Sequence, residues 1–170
     1  MTQAEGPARW LRGWVVARSG DTAAGHELIV AGDNRDAELG LQRGRSGVIG
    51  YAAEALVRAA RWREAQAQLD QAFALADRMG ERIFLPDLLL LRSRIELGMA
   101  RSAAANASMV AAWREAASQG AKLLELSALV ALAEAKTLQA DQRDALATAR
   151  AAITGDPGMP LLVRAAAALN

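Results

Sequence analysis

Residues 60–97, ARWREAQAQLDQAFALADRMGERIFLPDLLLLRSRIEL, decide the class of this chain. Between Trp62 and Met79, Ala65, Leu69, Ala72 and Phe73 recur at intervals of three and four, which puts them on one side of an α-helix. Gly80 then suits the left-handed residue that ends such a helix, because it has no Cβ to strain there. Pro86 and Asp87 suit the first turn of a second helix running through Leu88 to Leu97. The stretch reads as a helical hairpin.

Outward from it, the same features return every 40 residues. Gly40, Gly80, Gly120 and Pro160 form one such series, and Gly20, Ala60, Ala100 and Ala140 mark the junctions between the two helices of each copy. Further rows of small residues are Gly13, Ala53, Ser93, Ala133; Gly25, Ala65, Ala105, Ala145; and Gly32, Ala72, Ala112, Ala152. Ile29, Leu69, Met109 and Ala149 lie between the last two rows. Small residues allow close helix approach, and larger ones fill the space beside them. Phe73, Trp113 and Ile153 share a register that places them in the core, a series broken by Asp33.

The expected fold is all-α, a single domain of about four hairpins over residues 7–40, 45–80, 83–120 and 121–155, with a terminal helix over 160–170. A first helix begins near Pro7 and stops near Gly20, and Asp21 or Thr22 caps a second that carries Leu28 and Ile29 toward Gly32. The segment from Gly32 to Gly50 holds five glycines and is expected to be the least regular and most mobile part. Gly98 is expected to loosen the connection to a helix over Ser102–Gln119, and later helices are expected over Ala121–Leu138 and Asp141–Thr154.

The spacing Gly13, Gly25, Ile29, Gly32, repeated in register, resembles the small-small-large-small signature of tetratricopeptide repeats, with a unit of 40 in place of the usual 34. The 60–97 stretch, SQGAKLLELSALVALAEA (118–135) and GDPGMPLLVRAAAALN (155–170) together resemble the C-terminal repeat arrays of bacterial regulators. In these, a STAND-type ATPase is joined to a nucleotide-cyclase-like or LuxR-type domain. The resemblance implies a right-handed α-α superhelix whose repeats dock partners. It also implies that the first helix of each hairpin lines the concave side. The row facing that side would be Trp14, Glu54, Arg94 and Glu134, with Arg18 and Arg58 one turn on and Trp10 and Leu90 one turn back.

Composition narrows the function classes. Half of the 170 residues are hydrophobic, enough for a continuous core, and 20 basic residues are interleaved with 19 acidic ones, so nucleic acid is not an expected partner. Without cysteine there are no disulfides or thiolate ligands. No apolar run approaches the roughly 18 residues of a membrane span, so a cytoplasmic protein is expected. His26 and Glu27 are adjacent and point about 100° apart on a helix, which argues against a catalytic pair. GLQRGRSGVIG (40–50) has the glycines of a phosphate loop without its Lys-Ser/Thr ending, and reads as a linker. Trp10 and Trp14, at i and i+4, are core, a groove lining or the seam for an upstream hairpin, while Trp62 is the aromatic expected to be partly exposed.

The expected function is therefore a non-catalytic interaction module, without cofactor or metal, that binds a protein or peptide partner on the face made by Trp10, Trp14, Arg18, Glu54, Arg58, Leu90, Arg94 and Glu134. Self-association is the alternative, through a first helix and a last helix (Leu161, Leu162, Val163, Leu169) that expose apolar surface. A small-molecule pocket within the superhelix is a further alternative.

Overall fold

A computed structural model describes residues 4–169, so Asn170 of the expected terminal helix lies outside the described residues. These residues form α1 (Glu5–Arg18), α2 (Thr22–Glu38), α3 (Arg45–Arg58), α4 (Trp62–Met79), α5 (Leu85–Gly98), α6 (Ser102–Ser118), α7 (Lys122–Glu134), α8 (Ala140–Ala151) and α9 (Pro160–Leu169). No strand occurs among them, and the chain is all-helical.

The hairpin read from residues 60–97 forms as its periodicity dictates. α4 buries Ala65, Leu69, Ala72, Leu75 and Ala76 in one stripe, and Gly80 closes it in the left-handed conformation at φ 66°. The next N–H, of Glu81, reaches back to the Ala76 carbonyl at 2.8 Å, satisfying an acceptor the helix end would otherwise orphan. The same closure recurs at Gly40, Ala60, Ala100 and Gly120, where Leu41, Arg61, Arg101 and Ala121 donate to Asp36, Leu56, Glu96 and Ala116. Left-handed turns thus fall every 20 residues from 40 to 120, and a side chain in two of them is tolerated at a cost of about 1–2 kcal/mol.

Each helix packs on the next, and odd-numbered helices also pack on one another, α1 on α3, α3 on α5, α5 on α7 and α7 on α9. Among the described residues the even-numbered helices make no comparable contacts with each other. Three apolar clusters succeed one another along the chain, centred on Ile29 and Ala52, on Leu69 and Ile95, and on Leu129 and Leu146. Phe73, Trp113 and Ile153 pack against the last two of these, as their shared register predicts, and Trp62 is half-buried.

Several expectations are corrected. The segment from Gly32 to Gly50 is mostly helical, with Leu39–Gly44 the connection between α2 and α3. Three of its glycines serve packing, while Gly40 and Gly44 make left-handed turns: Gly32 meets the Trp10 backbone of α1, where a Cβ would lie 2.7 Å from the Trp10 nitrogen, and Gly47 and Gly50 receive the Phe84 ring and Leu88. Asp33 pairs with Arg45 through two hydrogen bonds of 2.8 and 2.9 Å, fastening α2 to α3. Gly98 likewise ends α5 against the Trp62 ring, and Ala100 makes the turn expected of it.

The 40-residue register also fails after α6. The α6–α7 turn is shorter than the α4–α5 turn, so the buried residues Leu88, Ser93 and Ile95 of α5 recur as Glu125, Val130 and Leu132 in α7, three residues early. α7 ends at Glu134 rather than near Leu138, Lys136 makes the left-handed turn at the junction expected at Ala140, and Ala140 opens α8. α9 lies on α7 and α8 and buries Leu162 with Leu161 and Leu169 half-covered, so of the expected apolar face Val163 alone stays exposed. At the other end Leu11 and Val15 of α1 are about half exposed, as expected of a first helix.

Among the described residues no helix is long and apolar enough to cross a membrane.

Candidate functional site

Packing odd helices side by side aligns one face of each, and between them runs a groove of about 920 Å³. Helical spacing supplies its walls: Trp14 and Arg18 from α1, Tyr51 and Glu54 from α3, and Asp87, Leu90, Leu91 and Arg94 from α5. α6 adds Asn106 and Met109, α7 adds Ala131 and Glu134, and α9 adds Arg164 at the far end.

Of the eight residues singled out from sequence, the groove brings together Trp14, Arg18, Glu54, Leu90, Arg94 and Glu134. Trp10 and Arg58 stand outside its lining. Trp10 instead donates its indole N–H to Asp36 at 3.1 Å, tying α1 to α2, and packs on Tyr51 at 6.0 Å between ring centroids. Arg58 supports the groove from beside it by hydrogen-bonding Glu54.

At the α1, α3 and α5 end the electrostatics centre on one oxygen. Glu54 Oε1 accepts from Arg18 at 3.2 Å and from Arg58 at 3.3 Å, and Arg94 stands 3.9 Å away. Arg18 also lies 4.7 Å above the Trp14 ring, a cation-π arrangement. Burial lowers the Arg94 pKa, and the neighbouring Arg58 and Arg18 lower it further, although Glu54 opposes them. Asp87 carries no hydrogen-bond partner in this cluster. Desolvation and then Glu54 push its carboxyl above the usual range, and desolvation with Asp87 and Glu54 raises the Tyr51 phenol. At the opposite end Arg164 reaches back to Glu134 through bonds of 2.7 and 2.6 Å, which hold the Glu134 carboxyl below its usual range.

Tyr51, Asp87 and Arg164 escaped the sequence reading for different reasons. Tyr51 lies one turn before Glu54 and Asp87 two turns before Arg94, so extending the predicted row along each helix would have found both. Arg164 had no such signal, because only the return of α9 onto α7 brings it to the groove.

The remaining candidates lie elsewhere. His26 is half-buried on α2, its pKa lowered first by burial and then by Arg61, and Glu27 beside it is exposed. In the 40–50 stretch the N–H of Gly44 donates to Glu81 at 2.7 Å and Ser46 Oγ to the other Glu81 oxygen at 2.6 Å, so a carboxylate of this chain caps α3 where an anion would bind. Among the described residues no three His, Asp or Glu side chains are grouped to hold a metal ion. The chain matches no known family model, no curated protein and no solved structure.

Proposed function

We propose that this chain is a protein-interaction module in which the groove on the odd-numbered helices holds a peptide segment of a partner. The observation that carries the reading is the groove itself: it is lined by residues of five odd helices, and it combines aromatic, aliphatic and paired charged residues along one face. Peptide sites of this kind draw their affinity from a few aromatic and arginine contacts, with apolar side chains filling the spaces between. The 40-residue interval up to α6, and next-but-one contacts made by odd helices alone among the described residues, fit a tetratricopeptide-like superhelix curving around that face. The resemblance of residues 60–97, 118–135 and 155–170 to the repeat arrays of bacterial regulators supports a role in such a signalling or transcription regulator, as part of its chain or as an adaptor, in the cytoplasm.

Selection of random capped peptides on the full chain tests this directly. Selected peptides should bind the wild type with micromolar Kd and lose at least tenfold in affinity to a chain carrying Ala131→Trp, which fills the groove. Failure to select any peptide, or equal binding to both chains, refutes the reading.

A second reading rests on a separate observation. Ala4, Ala8, Leu11 and Val15 form an exposed apolar row along α1, a surface suited to pairing with another copy. A molar mass by light scattering that rises with concentration, and does not rise for Leu11→Glu, supports self-association; a constant monomer mass excludes it.

A further inference from the structure

Three arginine pairs elsewhere in this chain are well matched. Arg45 makes two bonds to Asp33, Arg82 binds both oxygens of Glu115, and Arg164 both oxygens of Glu134, with separations of 2.6–3.1 Å. The groove cluster differs. Three guanidiniums share one oxygen of Glu54, at 3.2, 3.3 and 3.9 Å, and Glu54 Oε2 has no arginine bond. A guanidinium presents five N–H donors in a planar fork suited to a whole carboxylate. Arg18 and Arg94 therefore carry donors that Glu54 does not use, and both side chains are about half exposed, at 46% and 48%.

The local charge count points the same way. Arg18, Arg58 and Arg94 surround Glu54, and with Asp87 in the nearby lining the count leaves one positive charge in surplus at this end. Along the whole lining, however, Arg18, Arg94 and Arg164 are balanced by Glu54, Asp87 and Glu134. A polyanion would gain at the arginines and be repelled by Glu54, Asp87 and Glu134 along the groove, whereas a ligand with one carboxylate meets only Glu54 and Asp87 and avoids the repulsion at the Glu134 end. The lining beside the cluster is apolar, with Trp14 and Tyr51 on one side and Leu90 and Leu91 on the other.

We propose that the partner segment is an acidic peptide, presenting one Asp or Glu side chain to Arg18 and Arg94 with a large apolar residue beside it against Trp14, Tyr51 and Leu90. This rests on the groove being the peptide site. The incoming carboxylate accepts from the fork of Arg18 or Arg94 and completes the donors that Glu54 leaves unpaired. Desolvation by the peptide's apolar residue strengthens the contact, since removing water lowers the local dielectric.

The same random-peptide selection separates the two levels. Enrichment of a single Asp or Glu adjacent to Leu, Phe or Trp is expected, and replacing that acid by its amide should weaken binding about tenfold or more, the worth of a charge-assisted hydrogen bond. Arg18→Gln and Arg94→Gln should each erase that acid preference, while Arg94→Lys keeps part of it. Glu54→Gln should tighten the acidic peptide, because the arginines lose their resident acceptor. Circular dichroism spectra matching the wild type show that these substitutions leave the fold intact. Peptides that bind in the groove with no acid enrichment overturn this inference and leave the interaction-module reading standing. Selection of no peptide at all overturns both. Saturable binding of a single-stranded oligonucleotide or of inorganic phosphate that Arg94→Gln abolishes, with no acidic peptide bound, also overturns it, identifying a phosphate site instead.

Discussion

Gly25→Ala tests the packing on which the N-terminal end of the groove stands. From sequence alone the change should help, since Ala65 and Ala105 occupy the same register position and alanine exceeds glycine in helix stability by about 1 kcal/mol. The tertiary structure reverses the sign. A Cβ at Gly25 would lie 2.5 Å from the Ala17 backbone nitrogen and 2.6 Å from the Ala17 Cβ, well inside any real contact. The obstruction is main chain, so α1 must move away from α2 by about an ångström. α1 is also held there by Gly13 against the Gly25 carbonyl and by the 3.1 Å Trp10–Asp36 bond, which the shift would weaken. Overpacking costs about 1–3 kcal/mol or more, and the strained hydrogen bond about 1 kcal/mol. Against the 1 kcal/mol propensity gain, the net is a loss of about 1–3 kcal/mol. For a chain of this length that corresponds to a fall in Tm of about 2–12 °C. Thermal unfolding followed at 222 nm measures it, with α1 amides exchanging faster in deuterium as the local signature. An unchanged or raised Tm would refute the argument that α1 and α2 meet backbone to backbone.

Other substitutions probe the turns and the charges. Ala60→Gly and Ala100→Gly, at φ 55° and 59°, should each stabilise the chain by about 0.5–1 kcal/mol in urea titrations, because glycine removes the left-handed strain; a lowered midpoint contradicts the turn assignment. Asp33→Ala or Arg45→Ala should cost about 2–4 kcal/mol by leaving a mostly buried charge unpaired, and the double variant should cost less than the two summed. Additive losses would show that the pair is not coupled. Asp87→Asn bears on pH. With its folded-state pKa raised, Asp87 costs stability when ionised, so stability attributable to it declines as pH rises from the ordinary aspartate range through the raised value. The amide variant should be more stable than wild type at pH 7, with the advantage vanishing below the ordinary range. An advantage independent of pH would remove ionisation as its cause.

The sequence by itself determined the helices and most of their ends. The stripe Ala65, Leu69, Ala72 and the stop at Gly80 are local facts, since the period of an α-helix and the conformational freedom of glycine operate within a few residues. Much of the groove row was legible for the same reason: Trp14, Glu54 and Arg94 follow from a face repeated every 40 residues. Tertiary structure decided what depends on neighbours distant in sequence. Glycine means a loop in isolation, yet Gly32, Gly47 and Gly50 lie within helices or at their packed faces, because Trp10, Phe84 and Leu88 arrive from other elements to occupy the space a Cβ would fill. The shortened turn before α7 shifts the fourth hairpin by three residues, a change invisible in an alanine-rich register where many offsets place small residues together. Arg58 meets Glu54 one turn along the same helix, but the approach of Arg18 and Arg94 to Glu54, and the return of Arg164 to Glu134, join different helices, so only their packing could make those contacts.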